Sequence, residues 1–162
     1  MLKINLCLVL LSTLIMPSCA KSPEAPDEGG YQLNPTVDES APNGIYIPKN
    51  LDDAHEELKK MLPKDLITKM KNGTEDDMVQ YHMGLGGWFR NNWGLWGGSR
   101  LSKYFNSLGI YHPDDMSGII LRTFWCHLSG EPQRLSEKIS YYKEYWKSVE
   151  ASKETSPNDV TQ

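Results

Sequence analysis

The chain has 162 residues, of which 39% are hydrophobic and 23% charged, a composition that suits one folded domain rather than several. Its formal charge is −4 and no basic cluster interrupts that balance. Nucleic acid is therefore excluded as the expected partner, because such binding depends on neutralising phosphates with Lys and Arg. Three cysteines, Cys7, Cys19 and Cys126, are too few and too scattered for a disulfide framework.

Met1-Leu2-Lys3 is followed by an almost wholly apolar run from Ile4 to Met16, and then by Pro17-Ser18-Cys19. A charged start, an apolar centre and a small residue before a cut read as a signal peptide over residues 1–18. The apolar run falls short of the roughly 20 residues a membrane-spanning helix needs, so cleavage is expected over retention. With Ser18 directly before Cys19, the segment resembles the lipobox of bacterial lipoproteins. Met16 and Pro17 depart from the strict pattern and match the looser lipoboxes of Bacteroidetes-type organisms. The resemblance implies acyl chains such as palmitate on the Cys19 thiol, and lipid anchoring in the cell envelope at the outer membrane of a Gram-negative bacterium. Ordinary secretion with an incidental cysteine is the alternative. Two or more acyl chains anchor stably, where one binds only marginally. Loss of residues 1–18 removes Lys3 and takes the formal charge from −4 to −5. Cys126 then remains as a lone thiol, expected to be buried and inert in the run Phe124-Trp125-Cys126-His127-Leu128.

Behind Cys19, Ala20 to Gly44 holds four prolines, three glycines and five acids against the single Lys21, with no periodic apolar face. Residues 19–44 are expected to be the lipidated cysteine and a disordered tether, reaching about 25 to 30 Å by random-coil scaling. The folded domain is expected over residues 45–150, with a flexible tail over 151–162.

Ile45-Tyr46-Ile47-Pro48 reads as extended, after which the period becomes helical. Leu51, Ala54, Leu58 and Met61 recur at three- and four-residue spacing behind the cap Asn50, with Asp52 and Asp53 at the positive end of the helix dipole. Pro63 opens a second helix with Leu66, Ile67 and Met70 inward, closed by Asn72-Gly73. Thr74-Glu75-Asp76-Asp77 caps a third, with Met78, Tyr81, Leu85, Trp88 and Phe89 apolar. Gly84, Gly86 and Gly87 interrupt it, and close approach of another backbone is the favoured explanation. Ser99 caps a fourth helix carrying Leu101, Tyr104, Phe105 and Leu108, closed by Gly109. His112-Pro113-Asp114-Asp115 starts a fifth with Met116, Ile119, Ile120, Phe124 and Leu128, stopped by Gly130. Pro132 opens the last, where Leu135, Ile139, Tyr142, Trp146 and Val149 repeat almost as a heptad. No stretch shows sustained period-two alternation, so the expected fold is all-α, a small compact array of five or six helices.

The densest chemistry lies between Trp88 and Arg100, where three of the five tryptophans stand beside Arg90, Arg100, Asn91 and Asn92. The run Leu85-Gly86 through Arg90-Asn91-Asn92-Trp93-Gly94-Leu95-Trp96, with Ser99-Arg100-Leu101 and His112-Pro113-Asp114-Asp115-Met116-Ser117, resembles an uncharacterised bacterial domain family of unknown function. The resemblance spans roughly Ile47 to Gly130 and implies a domain boundary but no activity. On a structural reading, Trp88, Trp93 and Trp96 fill the core, Arg90 and Arg100 bind helix-end carbonyls or Asp114 and Asp115, and the asparagines make turn bonds. On a functional reading, Trp93 or Trp96 stays partly exposed on the glycine-flanked loop, and Arg90, Asn92 and Arg100 supply polar contacts to a glycan, peptide or protein.

Catalytic motifs are harder to find. Gly84-Leu85-Gly86-Gly87 lacks the preceding strand and the lysine of a phosphate-cradling loop. His112 with Asp114 could serve as an acid-base pair, although Pro113 and the acids are already explained as a helix start. His82, His112, Cys126 and His127 lack metal-ligand spacing, and neither metal nor cofactor is expected. The leading expectation is thus a non-enzymatic binding module displayed on a membrane through lipid on Cys19. An envelope-polymer hydrolase acting on glycan or peptidoglycan, or a purely structural envelope component, are the alternatives.

Overall fold

The computed structural model describes residues 30–154. The segments expected to form the signal peptide, the lipidated Cys19, the start of the tether and the end of the tail lie outside the described residues. Among those residues the fold is all-α, with six α-helices and one short 3-10 helix. None of these helices is long and apolar enough to cross a membrane.

Helix α1 spans Leu51–Met61, and Asn50 caps it by accepting the Asp53 N–H on its side chain at 2.9 Å. Leu51, Ala54, Leu58 and Met61 are buried, and so are His55 and Glu57, which the apolar spacing does not single out. Helix α2, Lys64–Asn72, buries Leu66 and Met70 against the same core.

The expected third helix is instead two elements, a 3-10 helix over Asp76–Tyr81 and α3 over Gly84–Asn92. Thr74 and Asp77 bond reciprocally at the start, the Thr74 N–H and hydroxyl donating to Asp77 Oδ2 at 2.7 and 2.8 Å. The chain turns at His82-Met83 and restarts at Gly84, and Gly84, Gly86 and Gly87 lie within the first turn of α3. The expected apolar residues Met78, Tyr81, Leu85, Trp88 and Phe89 are all buried. The expected close approach of another backbone is not found: a Cβ at Gly86 would meet only side-chain atoms, Arg90 Nη1 at 3.3 Å and Ser117 Oγ and Leu121 Cδ1 on α5 at 3.5 and 3.6 Å.

Ser99 caps α4, Arg100–Ser107, by accepting the Ser102 N–H. Helix α5, Pro113–Ser129, begins at the capping side chain of His112 and ends at Gly130, whose φ of +75° is the left-handed conformation of a helix C-terminus. Every other helix packs on α5. This explains why its burial is nearly all-round, taking in Ser117, Gly118, Leu121, Thr123 and Cys126 as well as the expected stripe. Cys126 is a free, buried thiol, and burial raises its pKa further from the reactive range.

Helix α6, Leu135–Glu154, continues four residues beyond Glu150 and lays half-buried Leu135, Ile139, Tyr142, Trp146 and Val149 inward. It comes close to α5 at Gly118, where an added Cβ would lie only 2.8 Å from Tyr142 Oη.

The segment from Tyr31 to Tyr46 departs from the tether expectation. Leu33 and Ile45 are buried, and the Asn34 N–H donates to the Met61 carbonyl at the end of α1 at 2.9 Å. The Thr36 N–H and hydroxyl donate to the carboxylate of Glu57 at 2.7 and 2.8 Å, and Val37 pairs with Ile45 in an isolated antiparallel bridge. Composition alone marks this stretch as loop. A buried carboxylate on α1 and two apolar anchors nevertheless hold it as an arm against the domain.

Candidate functional site

The three tryptophans between Trp88 and Arg100 have different fates. Trp88 and Trp93 belong to the core, with Trp93 stacked on Phe89 at a 4.5 Å centroid separation and 7° between planes, and meeting Trp88 edge-on at 5.9 Å. Expected exposure therefore fails for Trp93, which is 0% exposed and whose Nε1 has no partner among the described residues. Trp96 is 62% exposed. Gly94 at φ +63° and Gly98 at φ +75° set the turn that lifts it from the core.

Trp96 is braced from the side. Its ring meets His112 edge-on at 6.4 Å, and His112 in turn lies 5.1 Å from Trp146 on α6. The Trp146 indole N–H donates to Asp115 Oδ2 at 2.6 Å, so the aromatic row ends on a fixed carboxylate. Burial pushes the Asp115 carboxyl above the usual range, with the Trp146 bond acting against it. Exposed Tyr111 and the stem of Lys143 help to line a hollow of about 440 Å³ beside His112 and Trp146.

Below this row lies a charged cluster. Arg90 is buried, with Nε 3.1 Å from Asp114 Oδ1 and Nη1 donating to Ser117 Oγ at 2.9 Å and to the His82 carbonyl at 3.4 Å. His82 Nε2 approaches Asp114 Oδ1 at 3.7 Å. Burial, reinforced by Arg90, lowers the pKa of His82. His112 Nδ1 accepts the Asp114 N–H at 3.3 Å, so that nitrogen is the helix cap, and it lies 3.6 Å from Asp114 Oδ2. The sequence pair His112 and Asp114 is thus brought together, but His112 is engaged in capping and Asp114 in the ion pair with Arg90. Among the described residues, no group of three or more His, Cys, Asp or Glu is arranged to hold a metal ion.

Asn92 and Arg100 sit on the other side of the loop. Asn92 Nδ2 donates to the Trp88 carbonyl at 3.0 Å, and its backbone carbonyl accepts Asn43 Nδ2 from the arm at 2.9 Å. Arg100 stacks over the Tyr46 ring at 4.8 Å and donates through Nε to the Ile47 carbonyl, rather than to Asp114 or Asp115. Together with Asp38, Asn43 and Asn91 they line a cleft of about 570 Å³ between the arm and the Trp93–Ser99 loop.

Of the expected contacts, Trp96 reaches the surface on one side of the loop and Asn92 and Arg100 on the other, while Arg90 and Trp93 are buried. Sequence reasoning missed Trp146, Tyr111, Asp38 and Asn43. The helical period had placed Trp146 inward, which is half correct, but nothing local links it to Trp96 and His112.

The family described as Domain of unknown function (DUF6794) matches residues 47–128, half of the 162-residue chain. The match covers both loop and acid cluster, ends two residues short of Gly130, and leaves the arm and α6 outside. No match is found among curated proteins or solved structures.

Proposed function

We propose, from the premise that the chain belongs to the DUF6794 family and that this family brings no activity with it, that the molecule is an exported, lipid-anchored binding module. Cys19 carries the acyl chains, the envelope is the location, and the Trp93–Ser99 loop makes the contact. The observation that supports the contact is Trp96, a large indole left 62% exposed while both neighbouring tryptophans are buried. An indole held by left-handed glycines and braced by His112 is already ordered, so little conformational entropy is lost when a partner covers it.

The acid cluster is read here as architecture. A general base needs a free nitrogen or carboxylate near the substrate, whereas His112 Nδ1, Asp114 and Asp115 are held by the α5 cap, by Arg90 and by Trp146 respectively. Envelope-polymer hydrolysis is accordingly the second reading.

Two experiments test the proposal. Labelling with an alkyne fatty acid is expected to mark the wild-type chain and to fail in Cys19→Ser; label that persists in the variant refutes the anchor. Envelope extract passed over immobilised protein is expected to leave less material on Trp96→Ala and Arg100→Ala than on wild type. Equal retention by all three, with the fold intact, removes the loop as the contact.

A further inference from the structure

The hollow of about 440 Å³ beside His112 lies between the turn at residues 109–112 and one flank of α6, and Trp96 is not among its lining residues. Its inner end is Asp115, which is only 9% exposed. Trp146 donates to Oδ2 at 2.6 Å, and Oδ1 has no hydrogen-bond or ion-pair partner among the described residues. A carboxylate so enclosed lacks a counter-charge. Buried Ile110, half-buried Trp146 and the His112 ring 5.1 Å from it make the wall apolar and aromatic, and exposed Tyr111 extends that wall outward.

The open rim carries the opposite charge. Lys143 and Lys147 are exposed there, one turn apart on α6, against the single carboxylate of Glu150. The Lys143 stem lies on Gly109, where an added Cβ would come within 2.5 Å of Cε and 2.6 Å of Nζ. Neither ammonium has a hydrogen-bond or ion-pair partner among the described residues. A plain anion in this hollow would meet the free oxygen of Asp115, and a plain amine would meet two lysines. A molecule with an ammonium and a carboxylate a few atoms apart answers both ends. Its ammonium bonds to Asp115 Oδ1 within reach of the aromatic faces, and its carboxylate turns to the lysines. Small-ligand pockets begin at about 300 Å³, so there is room for one such molecule with an apolar side chain along the wall.

We propose that this hollow binds an apolar α-amino acid as its zwitterion, with the ammonium on Asp115, the carboxylate on Lys143 and Lys147, and the side chain against Trp146 and Tyr111. The site depends neither on lipid at Cys19 nor on the Trp96 loop as a contact surface. Asp115 lies inside the family match and both lysines outside it, so the ammonium subsite belongs to the shared domain and the carboxylate subsite to α6.

The test is calorimetric titration of the full-length chain with L-leucine and L-phenylalanine, and with glycine as a probe that has both charged ends and no side chain. Binding of leucine or phenylalanine is expected, with glycine at least about tenfold weaker. Blocking either end of the probe that binds, as its N-acetyl or its carboxamide form, is expected to weaken it by about tenfold or more. Asp115→Asn keeps an acceptor for the Trp146 indole and is expected to weaken the free probe by a similar factor. Lys143→Gln combined with Lys147→Gln is expected to weaken the free probe and leave its carboxamide form unchanged, a split that misfolding would not produce. Near-UV circular dichroism checks that each variant is folded. Binding of neither leucine nor phenylalanine overturns the proposal. So does a blocked form or glycine that binds as tightly as the free probe, or unchanged affinity in folded Asp115→Asn.

Discussion

Trp96 and His112 meet edge to face with ring centroids 6.4 Å apart, although fifteen residues, helix α4 among them, separate them in the chain. The relationship divides the labour between them. His112 caps α5 and braces the loop, while the Trp96 face remains in solvent. His112→Ala is therefore expected to cost about 1–2 kcal/mol of stability through the lost cap and ring contact. Trp96→Ala is expected to change stability by no more than about 0.5 kcal/mol, since most of its surface is already wet. Urea denaturation of the two variants checks the ordering, and a larger loss from Trp96→Ala would mean that the indole is part of the core.

The buried guanidinium of Arg90 joins three elements, through Asp114 and Ser117 on α5 and the His82 carbonyl before α3. Arg90→Met leaves the Ser117 hydroxyl and that carbonyl short of a partner, at an expected cost of about 2–3 kcal/mol. Asp114 is nearly half exposed, so Asp114→Asn is expected to lose about 1 kcal/mol. Chemical denaturation measures both. A reversed order would show that the carboxylate holds the cluster together.

His55 introduces a pH dependence. Thr123 donates its hydroxyl proton to the Ile119 carbonyl at 2.6 Å, so its oxygen accepts from His55 Nε2 at 3.0 Å. That assigns the proton to Nε2 and leaves buried Nδ1 as an acceptor with no partner among the described residues. Burial, with the neighbouring His127 adding to it, lowers the His55 pKa from 6.5 to about 4. The unfolded chain binds this proton more readily than the folded one. The contribution to stability is thus complete above pH 6.5 and lost as the pH falls toward 4, by about 3 kcal/mol in all. Glu56, 3.6 Å from His127, has its carboxyl held below the usual range by its bond to the Lys59 ammonium. Stability measured between pH 7 and pH 4 is expected to fall in the wild type and to fall less in His55→Leu; parallel curves would exclude His55 as the source.

Glu57 governs the arm. Its carboxylate is buried and takes both the N–H and the hydroxyl of Thr36. Glu57→Ala is expected to release residues 31–46 while leaving the helices in place. Limited proteolysis would then cut the arm several times faster than in wild type, with little change in helical circular dichroism. Unchanged cleavage would show that Leu33 and Ile45 suffice to hold it.

Much of the helical array was legible because caps and periods act locally. Asn50, Ser99 and His112 stand where the capping chemistry requires them, and Gly130 supplies the left-handed stop. The arm was not legible, because its partners, Met61 and Glu57 of α1 among them, lie far along the chain while its own composition is that of a loop. Burial of Trp93 and exposure of Trp96 were equally open in the sequence. Two tryptophans three apart on a glycine-rich loop have no period to sort them, and Phe89 stacking on one and His112 bracing the other is decided by tertiary contacts. The exposed half of the site depended on α6 in the same way, since Trp146 reaches His112 only after the whole array has formed.

The most direct test of the contact surface is the affinity for immobilised envelope extract of three forms of the full-length chain: wild type, Trp96→Ala and Val79→Ala. Val79 is an equally exposed hydrophobic residue on the 3-10 helix. The account predicts at least about tenfold weaker binding for Trp96→Ala, a difference of about 1.4 kcal/mol, with Val79→Ala indistinguishable from wild type. Equal affinity for all three folded proteins would contradict it.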